Sequence, residues 1–159
     1  MVETALYRAL DRRELRLFHQ PILDLQSGDV VGFEALMRWQ QADGTIVSPA
    51  EFIPIAEDTG TIVPIGSWAL LEALTQLRRW IDDGVCSPAA TMSVNVSPRQ
   101  LSDTNFPAIV SEALTRAGAQ AEMHIFEGLP HAFDGEAEYA RHVSDLIALF
   151  LGRKVQRSG

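Results

Sequence analysis

The run FHQPILDLQSGDVVGFEALMRW, residues 18–39, consists of two apolar stretches on either side of a short turn. The first stretch belongs to LRLFHQPILDL, residues 15–25, which alternates in its first half and then becomes apolar. Ser27, Gly28 and Asp29 supply turn residues, and VVGFEALMRW follows as the second stretch. Two such stretches joined by a turn are typical of a β-hairpin, which we therefore predict here.

Helices and a further strand are predicted around this hairpin. Residues 66–83 form the clearest helix, because apolar residues recur there at i, i+4, i+7 and i+11 and Gly84 is suited to end it. The other predicted elements are helices at residues 3–13, 50–60 and 106–117 and a strand at residues 91–97. Apart from the short helix at 50–60, the order α-β-β-α-β-α is typical of an α/β architecture with at least one parallel crossover.

The composition limits the possible classes of function. The 159 residues are enough for one ordinary domain, and 47% of them are hydrophobic, so a sizeable core can form. The net charge of −8 argues against binding to polymeric nucleic acid, although one arginine and a bound metal can still attract a small anionic ligand. No apolar run is long enough to cross a membrane, and no signal-peptide pattern opens the chain. The single cysteine, Cys86, cannot form an internal disulfide, so we expect a cytoplasmic protein with no membrane partner.

The second strand of the hairpin carries a candidate site. Glu34, Leu36 and Arg38 are two residues apart and therefore share one face of that strand. An acid and an arginine on one face can bind a hard cation and a phosphate together, or they can form an intrastrand salt bridge at a solvated surface. Asn95, on the next predicted strand, is either a functional residue or a hydrogen-bond anchor for the loop that follows.

Two further segments, SPAEFIPIAEDTG at residues 48–60 and SVNVSPRQL at residues 93–101, follow the hairpin. Together with the hairpin, in this order and at about these distances, they resemble the N-terminal half of an EAL-type cyclic di-GMP phosphodiesterase domain. The resemblance covers about residues 6–118 and includes the Glu34-Ala35-Leu36 tripeptide after which the family is named.

This resemblance implies a fold and a set of site residues. The fold would be α/β, a partial (half) TIM-like barrel with one antiparallel strand. Glu34 and Asn95 would be metal ligands for Mg²⁺ or Mn²⁺, and Arg38 would hold a phosphate of the ligand. Gln20 and Leu36 would touch the dinucleotide, cyclic di-GMP. The reaction of the family is two-metal-assisted hydrolysis of one phosphodiester, which gives linear pGpG.

The second half of the chain departs from the family pattern. Family members continue with a Glu-bearing strand, an aspartate pair and a catalytic lysine, whereas the only lysine here is Lys154 and no Asp-Asp follows Gly118. Glu127 ends an apolar segment and is a candidate third metal ligand. We therefore expect a catalytically incomplete domain that binds metal or dinucleotide weakly at most.

Residues 121–154, AEMHIFEGLPHAFDGEAEYARHVSDLIALFLGRK, resemble instead the C-terminal end of esterases and lipases with the α/β-hydrolase fold. That resemblance implies that His131 is a catalytic base. No G-x-S-x-G nucleophile segment accompanies it, however, and this favours the alternative that His131 is an ordinary loop histidine. The chain is thus predicted to be a chimera. A truncated EAL-like domain at residues 1–120 would be followed by an esterase-like strand-loop-helix at residues 121–159.

Three functions remain open on these grounds. The first is an EAL-derived metal or dinucleotide binder, and the second is a small esterase-like hydrolase that uses His131. The third is a non-enzymatic interaction module. Because a half barrel leaves open sheet edges that need partners, we also expect a homo-oligomer.

Overall fold

The computed structural model describes residues 2–117, with side chains from residue 5 onward. The elements in this part of the chain are α1 (Val2–Tyr7), β1 (Leu15–Leu23), β2 (Val30–Gln40), β3 (Ile46–Val47), α2 (Pro49–Thr59), α3 (Ile62–Asp82), β4 (Thr91–Val94), α4 (Pro98–Leu101) and α5 (Phe106–Ala117). Residues 118–159, which include Glu127, His131 and the predicted esterase-like segment, lie outside the described residues.

The predicted hairpin is confirmed. Strands β1 and β2 pair antiparallel from Leu15 opposite Trp39 to Leu23 opposite Val30, with one irregularity near the turn. Within the turn, the Asp24 carboxylate accepts hydrogen bonds from the backbone N–H groups of Gln26 and Ser27 at 2.9 and 2.8 Å. This arrangement satisfies backbone donors locally and fixes the register of the two strands.

The predicted parallel crossover is also confirmed. After α3 the chain returns as β4, which pairs with β2 in parallel from Gly32 opposite Thr91 to Ala35 opposite Val94. A Cβ atom on Gly32 would lie 2.4 Å from the Thr91 hydroxyl oxygen, so only glycine lets the two strands approach this closely. The sheet therefore has β2 at its centre, with β1 on one side and β3 and β4 on the other.

Several predicted boundaries are wrong by a few residues, for local reasons. Helix α1 ends at Tyr7 and not at residue 13, because residues 8–13 form turns and Arg13 adopts a left-handed φ of 54° that directs the chain into β1. Helix α3 begins at Ile62 and not at residue 66, because Ile62 and Ile65 are buried in the core. Helix α5 has the bounds that the apolar pattern predicts.

The largest buried cluster lies between the sheet and the first three helices. The largest fully buried side chains are those of Trp39, Phe52, Leu6 and Ile65. The rings of Trp39 and Phe52 meet edge to face with their centroids 5.9 Å apart. The indole N–H of Trp39 donates to a Glu14 carboxylate oxygen at 3.0 Å, so its one polar group is satisfied inside the core.

The described residues thus combine an antiparallel first strand with a parallel β-α-β unit, as expected for part of a barrel of this kind. None of the helices in residues 2–117 is long and apolar enough to cross a membrane.

Candidate functional site

Most of the predicted site residues share one face of the sheet. Glu34, Leu36 and Arg38 alternate along β2, and Gln20 on β1 lies directly opposite Glu34. Directly opposed residues of an antiparallel pair project from the same face, so Gln20 joins the three β2 residues. We call the side of the sheet that carries these residues the polar face.

Asn95 reaches the same face from β4. Ser93 pairs with Glu34 in the parallel ladder, and Asn95 follows two residues later, just beyond the end of the strand. The Asn95 side-chain N–H donates to Glu34 Oε1 at 3.0 Å, a contact between residues 61 positions apart. The fold therefore brings together the two residues for which the family resemblance implied a role as metal ligands.

The donor set at Glu34 and Asn95 fits a hard cation. With its nitrogen turned toward Glu34, Asn95 keeps its amide oxygen available, and Glu34 keeps its second carboxylate oxygen. Carboxylate and amide oxygens are the ligands that Mg²⁺ and related cations prefer. In the described part of the chain, however, no group of three or more His, Cys, Asp or Glu side chains is placed to share a metal. Two side chains alone would hold such an ion weakly.

Arg38 does not form the intrastrand salt bridge with Glu34 that the spacing allowed. Its guanidinium donates to the backbone oxygen of Met37 at 2.7 Å and lies over the ring of Phe18, with Cζ 5.9 Å from the ring centroid. Because no carboxylate within residues 5–117 pairs with Arg38, its remaining N–H groups are available to an anion.

The sequence reasoning missed Phe18 and Arg16. Phe18 lies opposite Leu36 and Arg16 lies opposite Arg38, so both project from the polar face. Alternation along the first predicted strand could have indicated both residues, because residues 16, 18 and 20 share one face of it, as residues 34, 36 and 38 do on the second strand.

A cavity of about 530 Å³ beside Arg12, Arg13 and Arg16 lies at the edge of this region but is not lined by Glu34 or Asn95.

His19 belongs to the opposite, helix-covered face. Its ring meets the indole of Trp80 on α3 edge to face at 5.0 Å, and its buried Nε2 atom has no hydrogen-bond partner among residues 5–117. Burial lowers the pKa of His19, and the nearby Glu72 carboxylate opposes this only in part. A neutral imidazole packed on a tryptophan is a structural group and takes no part in the polar face.

The family model for the EAL domain matches residues 3–146, and the chain belongs to this family. The match includes residues 121–146, which the esterase-like interpretation assigned to another class of protein, and the comparisons give no support to that interpretation.

Among curated proteins, the chain is 38% identical over 122 residues to the bifunctional diguanylate cyclase/cyclic di-GMP phosphodiesterase MucR of Pseudomonas aeruginosa. It is 38% identical over 102 residues to the cyclic di-GMP phosphodiesterase PdeR of Escherichia coli. These alignments cover 77% and 64% of this chain but only 18% and 15% of the two relatives.

Solved structures show the same relationship. The phosphodiesterase PaMucR in complex with c-di-GMP matches with a TM-score of 0.79 and 33% identity, over 93% of this chain and 60% of that one. The FimX EAL domain from Pseudomonas aeruginosa bound to c-di-GMP matches with a TM-score of 0.64 and 26% identity, over 74% of this chain and 46% of that one. The fold is therefore that of the EAL, TIM-like barrel family.

Proposed function

We propose that the polar face binds cyclic di-GMP together with Mg²⁺ or Mn²⁺, and that the 159-residue chain by itself does not hydrolyse this ligand at a useful rate. The observation that carries the proposal is the hydrogen bond from Asn95 to Glu34, which brings the oxygens of both side chains to the same face as Arg38. Arg38 makes no ion pair with the residues that the structure describes. Relatives of known structure that are bound to cyclic di-GMP support the choice of ligand.

Each residue of the polar face has a role in this proposal. Arg38 donates to a phosphate oxygen of the dinucleotide, because a guanidinium matches a phosphate with two parallel hydrogen bonds. Gln20 offers an amide that can donate to and accept from a base edge, and Leu36 supplies apolar contact. Phe18 fixes the direction of the Arg38 guanidinium by holding it over its ring.

Glu34 and Asn95 would hold the metal. EAL domains generally depend on Mg²⁺ or Mn²⁺. A bound ion of this kind neutralises phosphate charge and favours attack of water on the phosphodiester. In this chain, Glu34 and Asn95 supply two oxygens, and Glu127 is proposed as a third ligand.

We infer weak metal binding and no useful turnover from the residues that the chain offers. Two-metal hydrolysis needs several carboxylates with positioned supporting groups. The 159 residues contain one lysine, Lys154, and no aspartate pair after Gly118. Binding of the dinucleotide without hydrolysis needs fewer groups: an arginine for the phosphate, an amide for a base edge and apolar contact.

Calorimetric titration of the whole chain with cyclic di-GMP, with and without Mn²⁺, tests the proposal. We expect binding that strengthens with Mn²⁺, and Arg38→Ala should weaken it by about tenfold or more, since a hydrogen bond to a charged group contributes about 1.5–3 kcal/mol. Arg79→Ala is the matched control, because Arg79 is an exposed arginine on α3 that makes no ion pair with the described residues.

Absence of binding to the unaltered chain, or equal losses in the two arginine variants, would contradict the proposed ligand site. Chromatography of the same mixtures for pGpG tests the second half of the proposal. Turnover at a typical enzymatic rate of about 1 per second or more would show that the chain is a working phosphodiesterase.

The other two functions have less support. The esterase-like alternative depends on His131, which lies outside the described residues, and the comparisons give it no support. The division into residues 1–120 and 121–159 and the homo-oligomer stay predictions.

A further inference from the structure

The loop that carries Asn95 is fixed by a reciprocal pair of hydrogen bonds. Ser97 is the N-cap of α4, and its hydroxyl accepts from the backbone N–H of Gln100 at 3.3 Å. In return, the backbone N–H of Ser97 donates to the Gln100 side-chain oxygen at 3.1 Å. This capping box ties together the two ends of the short segment that follows Asn95.

The same glutamine anchors this segment to α3. Gln100 is only 3% exposed, and a Cβ atom on Gly66 would lie 1.9 Å from its side-chain nitrogen. The Gln100 amide therefore fills the space that the missing side chain of Gly66 leaves on the helix. Glycine inside a helix lowers helix propensity, and the close approach of Gln100 gives a packing reason for it here.

Asn95 lies between two fixed points of this loop. On one side, Val94 ends β4 and is held by its pairing with Ala35. On the other side, Val96 packs on the cluster of Leu101 and Phe106, and Ser97 is held by Gln100. The backbone of Asn95 is therefore constrained from both directions, while its side chain is exposed and donates a hydrogen bond to Glu34.

We propose that Gln100 is a positioning residue for the pair of Glu34 and Asn95. Gln100 acts through its hydrogen bonds with Ser97 and through its packing on Gly66, and it does not contact the metal or the dinucleotide. This inference rests on the proposed function, because the pair matters only if it binds a metal. Removal of the Gln100 amide leaves the Ser97 N–H without its acceptor, so the loop is released and Asn95 is no longer directed at Glu34.

The test compares Gln100→Leu with the unaltered chain. Leucine keeps most of the volume on Gly66 but removes the acceptor for Ser97. We expect Mn²⁺ affinity, measured by calorimetry on the whole chain, to fall by about tenfold, the lower end of the effect of groups that support metal ligands. We also expect the side-chain amide signal of Asn95 in a ¹H–¹⁵N spectrum to shift, since its hydrogen bond to Glu34 is lost.

A second pair of variants covers the case in which Gln100→Leu does not fold. Ser97→Ala removes the other hydrogen bond of the capping box, from the Gln100 backbone N–H to the Ser97 hydroxyl, and should produce both effects to a smaller degree. Ser97→Thr keeps a hydroxyl and should recover most of this loss. Ser48→Ala is the matched control, because Ser48 also precedes a proline and caps a helix, with its hydroxyl accepting from Ala50 N–H at 3.3 Å. It should lower stability without changing Mn²⁺ affinity or the Asn95 signal.

The outcomes separate this inference from the proposed function. If the unaltered chain binds Mn²⁺ and the Gln100 and Ser97 variants bind it equally well, the positioning role is wrong and the metal site stands. If the unaltered chain binds no Mn²⁺, the proposed function fails. The amide signal of Asn95 then decides by itself whether Gln100 positions Asn95. A shift in Gln100→Leu and Ser97→Ala but not in Ser48→Ala would still show that Gln100 directs Asn95, and no shift would overturn the idea.

Discussion

His19 makes the stability of the chain depend on pH. Its folded-state pKa is lowered by burial, so between the ordinary value of 6.5 and this lower value the unfolded chain binds more protons than the folded chain. We therefore expect His19 to lower the free energy of unfolding as the pH falls below about 6.5. Burial causes this direction, and within the described part of the chain a protonated ring would also carry an Nε2–H donor with no acceptor.

Replacement of His19 by phenylalanine should remove this dependence. Phenylalanine keeps an aromatic ring against Trp80 and has no group to protonate. Urea unfolding at pH 7.0 and pH 5.5 measures the effect, and the unaltered chain should lose more stability between these values than His19→Phe. The other three histidines are present in both proteins, so equal losses would assign the pH dependence to them and contradict the role of His19.

The polar face shows how far single residues could be predicted. The two-residue spacing of Glu34, Leu36 and Arg38 places them on one face from the sequence alone. The contact of Glu34 with Asn95 could not be predicted from spacing, because it depends on the parallel pairing of strands 61 residues apart. Only the resemblance to a known family connected these two residues in the sequence.

At the scale of secondary structure, periodic elements were predictable and short ones were not. The hairpin strands and α5 carry enough apolar residues for their period to be read. By contrast, β3 has two residues and α4 has four, which is too few for an apolar period. Strand β3 exists through its pairing with β2, which is not visible in the local sequence. The start of α4 was not predicted, although Ser97 and Gln100 are three residues apart, as a capping box requires.

The close approach of β2 and β4 gives a prediction at this scale. In Gly32→Ala, the added methyl group would meet the Thr91 hydroxyl at 2.4 Å and the Thr91 carbonyl oxygen at 3.0 Å, so β4 has to shift. Forcing an extra methyl group into a packed site costs about 1–3 kcal/mol, which urea unfolding can measure. Because Asn95 follows β4, the affinity for Mn²⁺ should also fall.

Thr91→Ala provides the control for that variant. It removes the nearer of the two contacts, so Gly32→Ala combined with Thr91→Ala should cost less than the sum of the two single changes. Additive costs, or a Gly32→Ala variant as stable as the unaltered chain, would show that the strands are not held as closely as described.

At the scale of the whole molecule, exposed apolar side chains mark the turn end of the hairpin. Leu25 is fully exposed and Leu23 is 51% exposed, and Val30 and Val31 lie beside them with exposures of 39% and 43%. Within residues 2–117, β1 pairs only with β2, and β4 does the same. Unpaired strand edges next to apolar side chains favour pairing with a second chain.

We therefore predict that the folded chain is a dimer or a higher oligomer. A net charge of −8 opposes association only weakly at physiological ionic strength, because screening acts over about 8 Å. Light scattering at tens of micromolar should give at least twice the mass of 17.5 kDa. Leu25→Lys should weaken association by about tenfold, since a leucine buried on association contributes about 1.5–3 kcal/mol.

Ile46→Lys is the matched control. Ile46 is 55% exposed and lies opposite Gln40 at the other end of β2, so this substitution adds the same charge away from the hairpin turn. A monomer of the unaltered chain, or equal effects of the two lysine variants, would show that association does not use this end of the sheet.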